Sequence, residues 1–274
     1  SGWSGAGYDD RDWAPVVVLD QPSSKLLAPE SPPVRRVREL RPVAISRGLG
    51  ETIFDLGQNF TGWARLKVRG PAGTTVTLRF AEVLNRDGTL YTDNLRRASQ
   101  TDRYTLKGGA EEVYEPHFTF HGFRYVGVSG LPGAPDTATI TGVALSSDLA
   151  QTGSFETSDS LLNRLQQNIV WGQRSNFLDV PTDCPQPDER LGWTGDAQVF
   201  APTAAFNMDV AGFFAKWLGD AAADQHPSGS VTWVIPNVLG GDSTEGAGTA
   251  GWSDAAVVVP WTMYLAYGDR GLLE

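Results

Sequence analysis

Four carboxylates share one short segment, DCPQPDERLGWTGD, at residues 183–196. Its candidate functional side chains are Asp183, Asp188, Glu189, Arg190, Trp193 and Asp196. A carboxyl group beside an indole loses hydration, and a second carboxylate nearby also favours its protonated form. Glu189, close to Trp193, is therefore the candidate general acid, and the other acids can accept hydrogen bonds from sugar hydroxyls. On residue chemistry alone, a solvated or structural loop stays open as the alternative.

Metal binding and thiol chemistry are competing interpretations of the same segment. Its acids could ligate Ca²⁺, but their spacing matches no EF-hand loop. The three histidines, His117, His121 and His226, lie far away in the sequence, so zinc or iron is not indicated. Structural roles are favoured for His117 and His121. Cys184 shows no positioned histidine that would make it a nucleophile, and it is interpreted as a small buried side chain. We predict no metal and no cofactor.

A second polar and aromatic stretch, NVLGGDSTEGAGTAGWSDAA, covers residues 237–256. Its glycines predict a loop, which is either surface or one wall of a site. Trp252 can serve as a platform on which a sugar ring stacks, or as an apolar anchor for the helix that follows. Both interpretations stay open.

Helices must position these side chains, because the hydrophobic period changes to that of a helix after residue 150. Thr194 is expected to cap a helix that begins near Gly195 and carries Asp196 in its first turn. Three further helices are indicated within residues 158–173, 209–225 and 253–269. Their expected inner faces include Leu161, Leu162, Leu165 and Ile169 in the first helix, Val210, Phe213, Phe214, Trp217, Leu218 and Ala221 in the second, and Val257, Trp261, Tyr264 and Leu265 in the third.

Strands are indicated from about residue 34 to residue 149. In TTVTLRFAE, Val76, Leu78 and Phe80 alternate with polar or small residues, which is the pattern of a half-buried strand. Similar runs, separated by glycine and proline turns, lie at residues 52–56, 63–68, 102–106, 117–128 and 138–145. Many short strands with this punctuation predict an antiparallel β-sandwich.

Composition limits the function further. The chain has 274 residues and a net charge of −10, which argues against nucleic-acid binding because phosphates require clustered Lys and Arg. No apolar run is long enough to predict a membrane span. We divide the chain into residues 1–27, the tail of a preceding β domain with a strand-like run at 16–19 and a linker, residues 28–150, the β-sandwich, and residues 151–274, the helical part.

At the acidic segment the chain resembles a known family. DCPQPDERLGWTGDAQVFAPTAAFN and GWSDAAVVVPWTMYLAYGD resemble motifs of the bacterial inverting α-L-rhamnosidases, glycoside hydrolase family 78. The strand region resembles the same enzymes through FDLGQNFTGW, NLRRASQTDRYTL and FTFHGFRYV. The resemblance spans about residue 30 to the end.

This resemblance implies a multi-domain β + α fold, in which an antiparallel β-sandwich is followed by the first helices of an (α/α)₆ barrel. It also implies removal of terminal α-L-rhamnose from glycosides. By residue match, Glu189 is the general acid, Asp183 and Asp196 hold rhamnose hydroxyls, and Trp193 and Trp252 line the pocket. Asp188 and Arg190 complete the expected substrate-binding set. Pro187 stands where the family motif usually has an arginine.

The family's general base lies on a later part of the barrel, so the resemblance implies a chain truncated at both ends with the base beyond Glu274. Glu245 and Asp254 have no motif support as substitutes. The few helices predict exposed apolar faces, which the rest of a barrel, another chain or an oligomer would cover. A carbohydrate-binding or interaction module without turnover is the alternative function, and another helical-barrel enzyme, such as a polysaccharide lyase or inverting glucosidase, is a third. The sequence leaves localisation open between the bacterial cytoplasm and secretion.

Overall fold

The computed structural model describes residues 2–19, 26–239 and 248–274. Its strands are β1 (Val34–Leu40), β2 (Ala44–Arg47), β3 (Thr52–Val68), β4 (Thr75–Ala81), β5 (Thr101–Thr105), β6 (Glu112–Tyr114), β7 (His121–Ser129), β8 (Ile140–Ser147), β9 (Phe177–Leu178) and β10 (Val180–Pro181). Its helices are α1 (Ser160–Asn176), α2 (Thr194–Asn207), α3 (Ala211–Ala223) and α4 (Ala255–Tyr267), with short 3₁₀ turns at Asp93–Leu95 and Arg270–Leu273. Among the described residues, no helix is long and apolar enough to cross a membrane.

The first eight strands form one curled antiparallel sheet in the order β1-β8-β3-β7-β4-β5, with β2 and β6 also paired to β3. β3 joins the two halves of this sheet, because its first part pairs with β2 and β7 and its last part with β8 and β6. The pairing register of β3 with β7 shifts between Asp55 and Phe60, around Gly57 in the left-handed region. The predicted antiparallel β fold is therefore confirmed, as one curled sheet, and the two runs predicted at 52–56 and 63–68 are one strand.

The core of the sheet is aromatic and aliphatic. Phe54 and Phe60 of β3, Phe80 of β4 and Phe123 of β7 are all fully buried, and the ring of Phe123 lies 4.5 Å from that of Phe60 and 4.7 Å from that of Phe80. Both halves of the sheet supply residues to this one cluster. Alternating apolar residues on β4 thus face a common interior, as their spacing of two predicts.

The helical region has a second core. Phe213, Phe214 and Trp217 of α3 are buried, and the ring of Phe213 stacks on that of Phe177, 4.5 Å away. The inner face predicted for this helix is confirmed. α1 packs against β3 and β8, and Trp171 contacts the core of the sheet, so the two regions are in direct contact.

Four further local predictions are wrong. Thr194 does not cap α2: it is the first helical residue, and its hydroxyl donates to the carbonyl of Trp233 at 2.9 Å. Residues 16–19 form no strand, and their side chains are exposed. His117 lies outside β7, whose first residue is His121.

The fourth concerns the inner faces of α1 and α4. Leu161, Leu162, Leu165, Val257, Trp261 and Leu265 are exposed. α4 instead buries Val259, Pro260 and Met263, because the packing partners and not the period alone decide which face turns inward.

Candidate active site

The acidic segment is a closed loop whose ends are hydrogen-bonded to each other. The backbone amide of Asp183 donates to the carbonyl of Leu191 at 3.1 Å, and the amide of Leu191 donates back to Asp183 Oδ1 at 3.0 Å. Cys184 Sγ donates to Asp183 Oδ2 at 2.6 Å. Both oxygens of Asp183 therefore have protein donors, which fix the orientation of the carboxylate.

A short backbone bridge places Trp193 beside this loop. Trp193 pairs with Val234, and the amide of Ile235 donates to the carbonyl of Gly192 at 2.8 Å. A side chain on residue 192 would collide with the carbonyl oxygen of Ile235, so glycine is required for this close approach. The indole of Trp193 lies near that of Trp233, with ring centroids 6.4 Å apart.

The curled sheet supports the other side of the loop. Arg190 Nη1 donates to the carbonyl of Phe120 at 3.1 Å, and its guanidinium lies 5.3 Å from the centre of the Phe120 ring. At Gly122, the first atoms that a Cβ would meet are Pro185 Cγ at 2.8 Å and Gln186 Cβ at 3.0 Å. The start of β7 is therefore packed directly against the acidic loop.

Two arginines of the sheet domain reach the acids of the loop. Arg96 Nη1 donates to Glu189 Oε2 at 2.8 Å, and Arg97 Nε donates to Asp188 Oδ2 at 3.1 Å. Hydrogen bonding to Arg97 lowers the pKa of Asp188 from its usual value. The sequence predicted that Trp193 and neighbouring acids favour the protonated form of Glu189. It did not predict the contact with Arg96, 93 positions away.

An inner cavity of about 590 Å³ lies between α1, α2 and the loop before α4. Asp183, Asp196 and Trp252 stand on its wall, together with the rings of Phe177 and Phe200. Although Asp196 is exposed, partial loss of hydration, followed by the negative charge of Asp183, raises the pKa of its carboxyl group. The cavity thus combines acceptor oxygens with apolar and aromatic surface, which is the composition of a small-ligand site.

A second cavity, which we name the boundary cavity, has a volume of about 570 Å³ and opens between the sheet domain and the acidic loop. Its wall is formed by Arg96, Arg97, Asp188, Glu189, Leu191, Trp193, Val238 and Leu239. Glu189 lines the boundary cavity, and Asp183 lines the inner one. A carboxylate oxygen of Glu189 lies within 4.8 Å of one of Asp183, so Glu189 is close to the wall of the inner cavity.

The same short distances test for a metal site. Among the described residues, Asp183, Cys184 and Glu189 form a group of possible metal ligands whose donor atoms all lie within 4.8 Å of one another. Metals bind the thiolate form of cysteine. Burial, followed by the hydrogen bond to Asp183, raises the pKa of Cys184 to about 12, so its proton stays in place and the thiol serves Asp183 instead.

The loop and the helix after it therefore bring most of the predicted residues together around the two cavities. Arg190 is the exception, because it is bound to Phe120 and lines neither wall; its substrate contact stays a prediction. Asp242 and Glu245 lie outside the described residues. Sequence reasoning missed Arg96 and Arg97 as members of the site. Their signal was the paired arginines in NLRRASQTDRYTL, whose position beside the loop depends on the tertiary fold.

Comparison with known proteins gives two family matches. Residues 45–146 match the bacterial α-L-rhamnosidase concanavalin-like domain, and residues 150–274 match the bacterial α-L-rhamnosidase six-hairpin glycosidase domain. The two matches meet between β8 and α1.

Individual relatives agree with these matches. An α-L-rhamnosidase of Streptomyces avermitilis is 52% identical over all of this chain, and one of Formosa agariphila is 43% identical over 99% of it. The crystal structure of the Streptomyces avermitilis enzyme complexed with L-rhamnose superposes with a TM-score of 0.91, again covering 100% of this chain and 26% of that one. The chain spans 26% and 29% of the length of the two curated relatives.

Proposed function

We propose, on the premise that the chain belongs to the bacterial α-L-rhamnosidase family, that it carries the general acid and the sugar-binding groups of an enzyme that hydrolyses terminal α-L-rhamnosides. The observation that carries this proposal is the position of Glu189 on the boundary cavity, within 4.8 Å of the hydrogen-bonded carboxylate of Asp183 on the inner one. A rhamnoside whose sugar ring is held by Asp183 has its glycosidic oxygen within reach of Glu189.

The inner cavity is the proposed site of the rhamnose ring. Asp183 and Asp196 face it as hydrogen-bond acceptors for ring hydroxyls, and an ionised carboxylate accepts without donating. Trp252 adds an aromatic face that suits the C–H surface of a sugar. The donors from Leu191 and Cys184 keep Asp183 in one orientation, so little rearrangement is needed when the sugar binds.

Glu189 is the proposed general acid. As the bond between the anomeric carbon and the glycosidic oxygen breaks, the proton of Glu189 moves to that oxygen and the leaving group departs as an alcohol. A water molecule attacks the anomeric carbon from the opposite face, and a general base takes its proton. The products are the alcohol and rhamnose of inverted, β configuration.

The general base is a different carboxylate from Asp183. In an inverting glycosidase the two catalytic carboxyl groups stand about 6.5–9.5 Å apart, so that water fits between them. Asp183 is within 4.8 Å of Glu189, which is too close, and both of its oxygens have protein donors. We place the base outside these 274 residues, in the part of the relatives that this chain does not span.

Dependence on the leaving group tests the role of Glu189. In a longer polypeptide that includes the rest of the six-hairpin domain, Glu189→Gln should reduce kcat/KM for methyl α-L-rhamnoside by about 10²–10⁴-fold. The reduction should be much smaller for 2,4-dinitrophenyl α-L-rhamnoside, because that leaving group departs without a proton. Glu111→Gln, at an exposed acid of the sheet domain, is the matched control and should leave both rates unchanged.

Two outcomes contradict this proposal. Equal losses on the two substrates mean that Glu189 is not the proton donor. Binding of L-rhamnose with no hydrolysis of either rhamnoside by the unsubstituted polypeptide supports the alternative, a binding module without turnover. Proton NMR of the first sugar released reports the stereochemistry, and α-L-rhamnose as the initial product excludes the inverting mechanism.

A further inference from the structure

We propose that the boundary cavity is the leaving-group subsite of this enzyme and that Arg96 and Arg97 select leaving groups that carry a carboxylate, such as a uronic acid. The proposal rests on the function proposed above, because it requires that Glu189 protonate a glycosidic oxygen. It adds a contribution of the sheet domain to substrate choice.

The position of the cavity supports a leaving-group site. A general acid must lie between the sugar that is released and the group that it leaves. Glu189 lines the boundary cavity and lies within 4.8 Å of Asp183, which lines the inner one. If rhamnose fills the inner cavity beside Asp183, the other side of the bond extends into the boundary cavity. Its volume of about 570 Å³ is within the range of sites that hold small ligands, about 300–1,000 Å³.

The chemistry of the wall supports an acidic group. Each guanidinium has five N–H donors in a planar fork that matches a carboxylate. Arg96 uses Nη1 for Glu189 and Arg97 uses Nε for Asp188, while their side chains remain 61% and 93% exposed. Further N–H donors of both arginines are therefore accessible to a ligand in the cavity, and Trp193 and Leu191 provide apolar wall beside them.

Because Arg96 is paired with Glu189, a carboxylate on the leaving group would also affect the general acid. Glu189 must hold a proton to act as the acid, yet Arg96 donates to one of the oxygens that would hold it. A carboxylate on the leaving group can replace Glu189 as the partner of Arg96. The exchange leaves Glu189 free to hold the proton beside the glycosidic oxygen, so an acidic leaving group is both bound and assisted.

A pair of matched substrates tests this selection in the longer polypeptide. One is an α-L-rhamnoside of a hexuronic acid, and the other is the α-L-rhamnoside of the corresponding neutral hexose with the same linkage. We expect kcat/KM to be about 10-fold or more higher for the acidic substrate, the effect of one charge-assisted hydrogen bond. Arg97→Gln should reduce the acidic-to-neutral ratio to within about 3-fold of unity, while Arg97→Lys, which keeps the charge, should retain part of it.

Arg96→Gln gives a second, independent signature. It should lower the rate on the acidic substrate and raise the rate on the neutral one, because Glu189 then loses its competing partner. Arg86→Gln, at an exposed arginine of the turn after β4, is the control and should change neither rate. Thermal unfolding of each variant establishes that it is folded.

Different results would overturn the selection of acidic leaving groups and the rhamnosidase function itself. Hydrolysis of both substrates with a ratio near unity, or a ratio that neither arginine substitution changes, overturns the selection and leaves the rhamnosidase function intact. Equal losses on both substrates in both arginine variants mean that the arginines only hold the acidic loop, which also overturns it. No hydrolysis of any rhamnoside by the unsubstituted polypeptide overturns the proposed function itself.

Discussion

The sheet domain and the helical region differ in how completely they bury their large apolar side chains. Phe54, Phe80 and Phe123 of the sheet share one interior and are 0% exposed. In the helical region Trp217 is 1% exposed, whereas Trp261, on the neighbouring helix, is 52% exposed. The strands of the sheet domain cover their shared core, while the helical region buries one set of apolar residues and leaves others exposed on α1 and α4. The acidic loop lies where the two regions meet. The site therefore depends on both.

Matched tryptophan substitutions sharpen this contrast most strongly. Trp217→Ala should lower the free energy of unfolding by about 3–5 kcal/mol, as expected for a large buried side chain. Trp261→Ala should lower it by less than about 1 kcal/mol, because half of that side chain is already in water. Chemical denaturation of the two variants at several protein concentrations measures both values.

An equal loss of unfolding free energy for the two tryptophan variants, with a concentration-dependent midpoint, would contradict this prediction. It would mean that another copy of the chain covers the exposed face of α4 in solution.

The contact between the regions is tested at Gly122. Gly122→Ala places a methyl group against Pro185 and Gln186 of the acidic loop, and we expect a cost of about 1–3 kcal/mol from overpacking. In the longer polypeptide, kcat/KM on rhamnosides should fall by more than any loss of folded protein explains, because the displaced loop carries Glu189. Gly133→Ala, where a Cβ meets nothing within 4 Å, is the control. Unchanged activity in folded Gly122→Ala would show that the sheet does not position the loop.

The pH dependence of two aspartates should have opposite signs in the two regions. Hydrogen bonds from Arg124 lower the pKa of Asp55, so their stabilisation is present above the unfolded pKa of about 3.9 and is lost as the pH falls through the lower folded value. Loss of hydration, followed by the charge of Asp183, raises the pKa of Asp196, so its ionised form is unfavourable at neutral pH and this cost disappears below the unfolded pKa.

Asn substitutions measure both effects. Asp55→Asn should reduce stability by about 1–2 kcal/mol at pH 7 and by progressively less in acid. Asp196→Asn should increase stability at pH 7 and have no effect near the unfolded pKa, although it removes a proposed sugar contact. Thermal unfolding between neutral and acidic pH tests the signs, and the same sign for both variants would contradict the stated causes.

The smallest expected effect concerns the thiol of the loop. Because burial raises the pKa of Cys184 to about 12, iodoacetamide should modify it slowly at pH 8 in the folded chain and rapidly after denaturation. Mass spectrometry follows the reaction. Rapid modification of the folded chain would show that Cys184 is ionised and does not donate to Asp183.

Much of this fold follows from local patterns in the sequence. The alternation of β4 and the inner face of α3 were both predicted, because each is set by periodicity within one element. β3 was divided into two strands, since GQNFTG reads as a turn and only the pairing with β7 and β8 keeps it extended. The small number of helices predicted exposed apolar faces, and α1 and α4 have them. Which face of each helix packs inward could not be predicted, because a helical period says which residues are apolar and not which partner covers them.

The candidate site was also predicted only in part, since some of its contacts are local in the sequence and others are not. The short spacing within residues 183–196 predicted that the acids share one site. Two hydrogen bonds hold the carboxylate of Asp183 in one orientation there. The partners of Glu189 and Asp188 come from Arg96 and Arg97, more than 90 positions earlier. The two arginines are visible in NLRRASQTDRYTL, but no local pattern places them beside the acidic loop.

The most direct test of the account compares the hydrolysis of p-nitrophenyl α-L-rhamnoside by two polypeptides. One is this 274-residue chain, and the other continues past Glu274 with the rest of the six-hairpin domain. We predict hydrolysis by the longer polypeptide only, with L-rhamnose bound weakly or not at all by the shorter one, because this chain supplies the proposed general acid, Glu189, and not the proposed general base. Hydrolysis by the 274-residue chain, lost in Glu189→Gln, would place the general base within these residues and contradict that claim.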